Sequence, residues 1–156
     1  MISQTAEYAL RAIAHLAQRP DEPHTAQQIA EGTQVPLPYL SKVLQGLARA
    51  SLIRSQRGLH GGFSLVKRSE ELTVYEVVQA VDPIQRITTC PLGLKSHGHN
   101  LCPLHRRLDD AVALVEAAFR DSRIVDLLNE PTTSKSLCPF PIEVPEPEVI
   151  VQSALD

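Results

Sequence analysis

Residues 36–68 read PLPYLSKVLQGLARASLIRSQRGLHGGFSLVKR, and the fold of the whole chain turns on them. Pro38 suits the first turn of a helix, where its missing N–H is no loss. Tyr39, Leu40, Val43, Leu44 and Leu47 follow at helical spacing and predict one apolar stripe, with Ser41, Lys42, Gln45 and Arg49 on the opposite face. Two short apolar runs come next, Leu52 to Ile53 and Phe63 to Val66, around a turn rich in glycine and arginine. That is the pattern of a β-hairpin. A helix with a polar, basic outer face followed by a basic hairpin predicts a recognition helix and its wing. A three-helix packing unit with a solvated outer face would share the helical spacing but would not need the hairpin.

Working outward, Tyr8, Ala9, Ala12, Ile13, Leu16 and Ala17 predict a first helix closed by Pro20. Thr25 with Gln28 three residues on fits a capping box for a short second helix that buries Ile29 and Ala30 and stops at Gly32. A second box, Thr73 with Glu76, opens a helix carrying Val74, Val77, Val78 and Val81, which Pro83 ends. Further on, Leu104, Leu108, Ala111, Val115 and Ala118 alternate spacings of four and three, an apolar seam along one long helix. Such a seam calls for a partner, either its own domain, with the helix folded back on it, or a second copy packed across a two-fold axis. The expected fold is therefore mainly α with a small β-hairpin wing. A winged helix-turn-helix spans 1–82, a Cys/His loop 83–103, a dimerisation helix region 104–129 and a Pro-rich acidic tail 130–156.

Charge supports the same division. Residues 36–68 hold six of the fifteen basic side chains and no acid, which leaves nine basic against all eighteen acidic residues elsewhere. A local basic block in an acidic chain is the electrostatic footprint of phosphate binding, although a solvated face can look alike. On this reading Ser41, Lys42 and Gln45, with Arg49, face the major groove. Arg54, Arg57, Lys67 and Arg68 meet the backbone or minor groove, and Gly58, His60 and Gly61 shape the wing.

Other classes find little support. The glycine turn leads into a strand and lacks the lysine of a phosphate-binding loop. G-x-S-x-G, H-E-x-x-H and C-x-x-C patterns are absent, so no enzyme is expected. An adaptor that binds only protein remains open, as does a small redox enzyme, though no substrate pocket is legible. No apolar run approaches the ~18 residues of a membrane span, and a soluble cytoplasmic protein with free or metal-binding thiols is expected.

EYALRAIAHLA, PLPYLSKVLQGLARASLIRSQRGLHGGFSL and LTVYEVVQAVD resemble, in order and spacing over about residues 1–128, the IscR, NsrR and CymR-type family of winged-helix transcription regulators. The resemblance implies a homodimer on a near-palindromic DNA operator, and an iron-sulfur cluster as sensor in several members.

A sensor is also what CPLGLKSHGHNLCPLH at 90–105 suggests, with two of the three cysteines and three of the six histidines in sixteen residues. Cys102 precedes Pro103 and the long helix, so its sulfur faces the positive end of a helix dipole, which favours the thiolate that metals and oxidants need. His105 lies one turn on, and Cys90 stands at the far end of a glycine-containing loop. Iron-sulfur relatives resemble C-x5-C-x5-C, with a histidine three residues later in one type. Here the positions are Cys90, Ser96, Cys102 and His105, so the middle thiol is a serine. His97 or His99 could substitute for it, and the resemblance places Glu7 of the partner subunit as a further ligand. A 2Fe-2S cluster on Cys90, Cys102, His105 and Glu7 is the leading expectation. A thiol switch between Cys90 and Cys102 is the alternative, and a zinc site lacks the usual short knuckle. Cys138 reads as structural or incidental.

Overall fold

Ser3 caps the first helix, α1 (Gln4–Gln18), by accepting from the Ala6 amide, and the helix buries Ala6, Ala9, Ala12, Ile13 and Leu16 along one side. In this computed structural model residues 2–58, 61–91, 93 and 100–131 are described. His60, Ser96, His97, His99, Cys138 and the tail from residue 132 lie outside them. Helix α2 (Ala26–Thr33) opens with the expected capping box: Thr25 Oγ1 accepts from the Gln28 amide, and Gln28 Oε1 accepts from the Thr25 amide at 2.8 Å. Thr25→Ala should cost about 1 kcal/mol, read by denaturant unfolding.

Gly32 does not stop α2. The left-handed residue is Gln34 (φ 54°), one position past the helix end. Gly32 stays helical because the His15 ring of α1 packs where its side chain would be; a Cβ there would lie 2.4 Å from His15 Cε1.

Val35, 2% exposed, anchors the turn into α3 (Leu37–Arg49), which Pro36 caps and which buries Leu40, Val43, Leu44 and Leu47 against α1, α2 and the later helix over residues 74–81. Tyr39 departs from the expected stripe and is 61% exposed. At 100° per residue the buried Leu40, Val43, Leu44 and Leu47 centre about 90° round the helix from it, so it stands at the edge of the buried face, in the first turn.

Strands β1 (Ile53–Gln56) and β2 (Gly62–Leu65) pair antiparallel, with Ile53 opposite Leu65, Arg54 opposite Ser64, Ser55 opposite Phe63 and Gln56 opposite Gly62. The strands thus run one to three residues nearer the turn than the apolar runs suggested. The α1–α2 connection adds a third rung: His24 N donates to Phe63 O at 2.9 Å, and Phe63 N donates to His24 O at 2.7 Å.

Helix α4 (Val74–Val81) carries the second capping box and ends before Pro83. The expected long helix is α5 (Pro103–Asp121), which holds the whole run from Leu104 to Ala118, and a short α6 (Ile124–Asn129) follows it. Between them the chain turns back onto the domain. Val74 N donates to Ser122 O, Ile124 N donates to Leu72 O, and the Ile124 side chain is fully buried in the same core as α1 and α3. The mainly α fold with a hairpin wing is as read from the sequence.

Candidate DNA-reading surface and sensor site

The outer face of α3 presents Lys42, Gln45 and Arg49 as exposed side chains. Ser41 is half-buried and its hydroxyl donates to Leu37 O at 2.9 Å. Lys42 and Arg49 also line, with Thr5, Gly46 and Gln79, a hollow of about 490 Å³ between α3 and the ends of α1 and α4. In the hairpin, Arg54 Nε donates to Ser64 Oγ at 3.0 Å across the strands, and Arg57 stands exposed at the end of β1. Gly58 takes φ 115°, which strongly favours glycine, and Gly61 N donates to Gly58 O to close the turn.

The six cations are not equivalent. Lys67 pairs with Glu76 at 2.6 Å and Arg68 with Glu71 at 2.8 Å, which partly neutralises the two residues expected to extend the DNA contact. Among the described residues, Lys42, Arg49, Arg54 and Arg57 form no ion pair. What the sequence reading missed is apolar. Leu37 and Tyr39 are both exposed at the leading end of α3, where a groove-entering helix meets thymine methyl groups.

At the other end of the molecule Cys102 is the N-cap of α5, with Pro103 at its first position, as expected. Its Sγ lies 3.3 Å from His105 Nδ1. Both side chains are half-buried, and Arg106, Arg107 and Asp110 line a hollow of about 370 Å³ with Leu101 and Pro103. Cys90 is buried, and neither Cys90 nor Cys102 is in a disulfide. Glu7 lies in the first turn of α1, exposed and ion-paired to Arg11, whose other amine donates to Thr33 O at 3.3 Å.

The structure therefore brings together two of the four expected ligands. Among the described residues no three His, Cys, Asp or Glu side chains are grouped to hold a metal. The Cys102–His105 spacing still fits a shared ion. Tetrahedral sulfur and nitrogen ligands at the usual zinc distances stand roughly 3.5 Å apart, a few tenths of an ångström from what is seen.

The segment that delivers Cys90 is clamped to α5. Arg86 donates from Nε and Nη2 to both carboxylate oxygens of Asp109 at 2.7 and 2.6 Å, and the Ile87 amide donates to the same carboxylate at 2.8 Å. Buried Glu116 accepts from Tyr75, Arg86 and Arg120, and Arg120 stacks 3.9 Å from the Tyr75 ring. The Arg86 hydrogen bond holds Asp109 below its ordinary value. Tyr75 first, then Arg120 and Arg86, hold Glu116 down against the opposing effect of burial. Carboxylates depressed in the folded state contribute stability that is present above their ordinary values of 3.8 and 4.5 and is lost as the pH falls through the folded ones. Thermal midpoints should accordingly drop on acidification below about pH 4.5. Glu116→Gln should flatten part of that drop in a melt series from pH 7 to 3.

A helix-turn-helix with an adjoining two-stranded wing defines a winged-helix DNA-binding protein, and likeness to known proteins narrows the class. A family model described as "Rrf2: Iron-dependent Transcriptional regulator" matches residues 2–130. An HTH-type transcriptional regulator of Aquifex aeolicus is 28% identical over 132 residues, covering 83% of this chain and 92% of that protein. An rrf2-like one of Rhodobacter capsulatus is 36% identical over 86 residues, covering 53% and 57%. Among solved structures, CymR, the global cysteine regulator of B. subtilis, superposes with a TM-score of 0.66 at 22% identity, covering 81% of this chain and 95% of that one. IscR of T. potens gives 0.67 at 21%, covering 82% and 85%. The oxidized form of Staphylococcus aureus CymR gives 0.66 at 22%, covering 85% and 99%. The chain belongs to the Rrf2 family of transcription regulators, which are DNA-binding proteins and not enzymes. No helix among the described residues is long and apolar enough to cross a membrane.

Proposed function

We propose that two copies of this chain form a regulator that reads a dyad-symmetric operator through α3 and the wing and senses its signal at Cys102 and His105. The observation that carries the sensor is the 3.3 Å approach of the Cys102 thiol to the His105 ring at the start of α5. Cys90 from the clamped arm and Glu7 of the partner subunit complete the ligand set for a two-iron cluster, which needs four protein ligands. Ligation would take the Glu7 carboxylate from Arg11. Because Arg11 also holds the last residue of α2, that exchange reaches the helix-turn-helix directly. The four unpaired cations then supply phosphate contacts, Gln45 and Ser41 the base contacts, and Gly58, His60 and Gly61 the wing that enters the neighbouring groove.

A thiol switch is the second reading, favoured by the lack of a third grouped ligand among the described residues and by two free thiols, Cys90 and Cys102. In it the Cys90 and Cys102 thiols give up two electrons and two protons to a peroxide, which leaves as water, and a disulfide forms.

Anaerobic purification separates the two. A brown protein containing iron and sulfide, whose colour is lost in Cys102→Ser and His105→Ala, supports the cluster. A colourless protein whose operator affinity changes with peroxide and recovers with dithiol supports the switch. In either form affinity should fall steeply with salt, by about 10³-fold or more between 50 and 200 mM if some six phosphates are neutralised. Salt-insensitive binding in both redox states would overturn the DNA reading.

A further inference from the structure

His15 and His24 meet at the seam between the helix-turn-helix and the wing. His15 Nε2 lies 3.2 Å from His24 Nδ1, with the rings edge to face and their centroids 4.9 Å apart. His24 is only 6% exposed, and its Nε2 is buried with no hydrogen-bond partner among the described residues. Its backbone forms both hydrogen bonds that attach the α1–α2 connection to β2 at Phe63. His15 is wedged against Gly32 of α2. One contact between two imidazoles therefore touches α1, α2 and the wing.

The two facing nitrogens share one hydrogen: one ring donates and the other accepts. If both carried a proton, two N–H groups would oppose each other at 3.2 Å. We infer that this pair is a proton-sensitive joint: taking up a second proton breaks the His15–His24 contact and loosens the wing from the helix-turn-helix, lowering operator affinity in mild acid.

The surroundings agree. Burial first, then His24 and Arg19, push His15 below the ordinary histidine value of 6.5. Glu22 and Glu31 line the same hollow of about 360 Å³ with Gln18 and Gln28, and Glu31 is already engaged by Gln27. These acids favour the proton, and burial with Arg19 opposes it. With the folded value lowered, the joint is intact at and above pH 6.5, and its contribution is lost as the pH falls below that value and through the lowered one. The mechanism of the joint concerns the fold alone; only its affinity readout rests on the DNA-binding reading.

Two measurements test it. In the full-length wild type, the His24 ring 15N shifts and the Phe63 amide shift should follow the protonation of His15. The logarithm of operator Kd should rise below pH 6.5 with a slope approaching one proton, about tenfold per pH unit. His15→Gln should remove that slope. Gly32→Ala should remove it too, since alanine favours the helix while its methyl displaces the His15 ring. Independent titration of the two rings, or a full slope surviving in His15→Gln, would overturn the joint. Absence of binding at pH 7.5 would instead count against the DNA reading, and the NMR titration would still decide the joint.

Discussion

Leu114→Glu is expected to fold as well as the parent chain and to lose operator affinity by roughly 10²-fold or more, the factor by which joining two half-site contacts exceeds one. Leu114 is 73% exposed, so the substitution removes little of the single chain's packing. Leu114 lies outside the seam, about 80° round the helix from it on the side away from the domain, and widens the apolar face; of the seam residues, Leu104 is 64% exposed, Leu108 48% and Val115 45%, all on α5. The side of α5 facing its own domain carries Val112, Glu116 and Phe119, and the apolar seam runs roughly a quarter turn round the helix from it. Beside the seam opens a cavity of about 570 Å³ lined by Ile2, Ala6, Val78, Pro83 and Ile84. Leucines left in water along three turns of helix lose about 1.5–3 kcal/mol each that full burial would supply, which is the argument for a second copy there. Sedimentation should show Leu114→Glu and Leu108→Glu as folded monomers, and anisotropy titration should show the lost affinity. A stable dimer in both variants would refute the seam as the interface.

Gly62→Ala should strongly destabilise the attachment of the wing to the rest of the domain. A Cβ on Gly62 would lie 2.6 Å from His24 O, 2.7 Å from His24 C and 2.9 Å from His24 N. These are backbone atoms that cannot rotate aside, so the hairpin must separate from the α1–α2 connection. Overpacking together with loss of the two Phe63–His24 hydrogen bonds sums to about 2–4 kcal/mol. For a domain of this size that lowers Tm by roughly 10 °C. Gly46→Ala in mid-α3 is the comparison: its nearest neighbour outside the helix is the Val81 side chain at 3.1 Å, which can yield, and helix propensity favours alanine. Equal melting temperatures for Gly62→Ala and the wild type would mean that the wing is not held at His24.

Local chemistry was legible wherever it was locally complete. Both capping boxes, the Pro38 helix start and Cys102 at the head of α5 rest on contacts within four residues, and each is where the spacing put it. Gly32 misled because a glycine that ends a helix and one that admits a neighbouring ring look the same in sequence; only the fold brings His15 to it. The turn at Ser122 has no local signal either: the Leu72 carbonyl that receives the Ile124 amide lies 52 residues away. Lys67 and Arg68 counted as free charge in a linear tally, because Glu71 and Glu76 lie just outside the basic block. The Arg86 clamp, spanning 23 residues to Asp109, left no periodic trace at all.

The anchoring of α5 at Ser122 and Ile124 also gives the helix a mechanical character. It is held at one end by hydrogen bonds to residues 72 and 74 and carries Cys102 at the other. Its 19 residues span roughly 28 Å at 1.5 Å each. A tilt of about 5° at the anchored end therefore sweeps Cys102 through roughly 2.5 Å, and the same leverage acts in reverse. Sub-ångström changes in bond length at the sulfur become, at the pivot beside Leu72 and Val74, rotations of only a degree or two. Amplification must then come from the second lever arm, the recognition helix, whose tip has to match a groove to within a hydrogen-bond length.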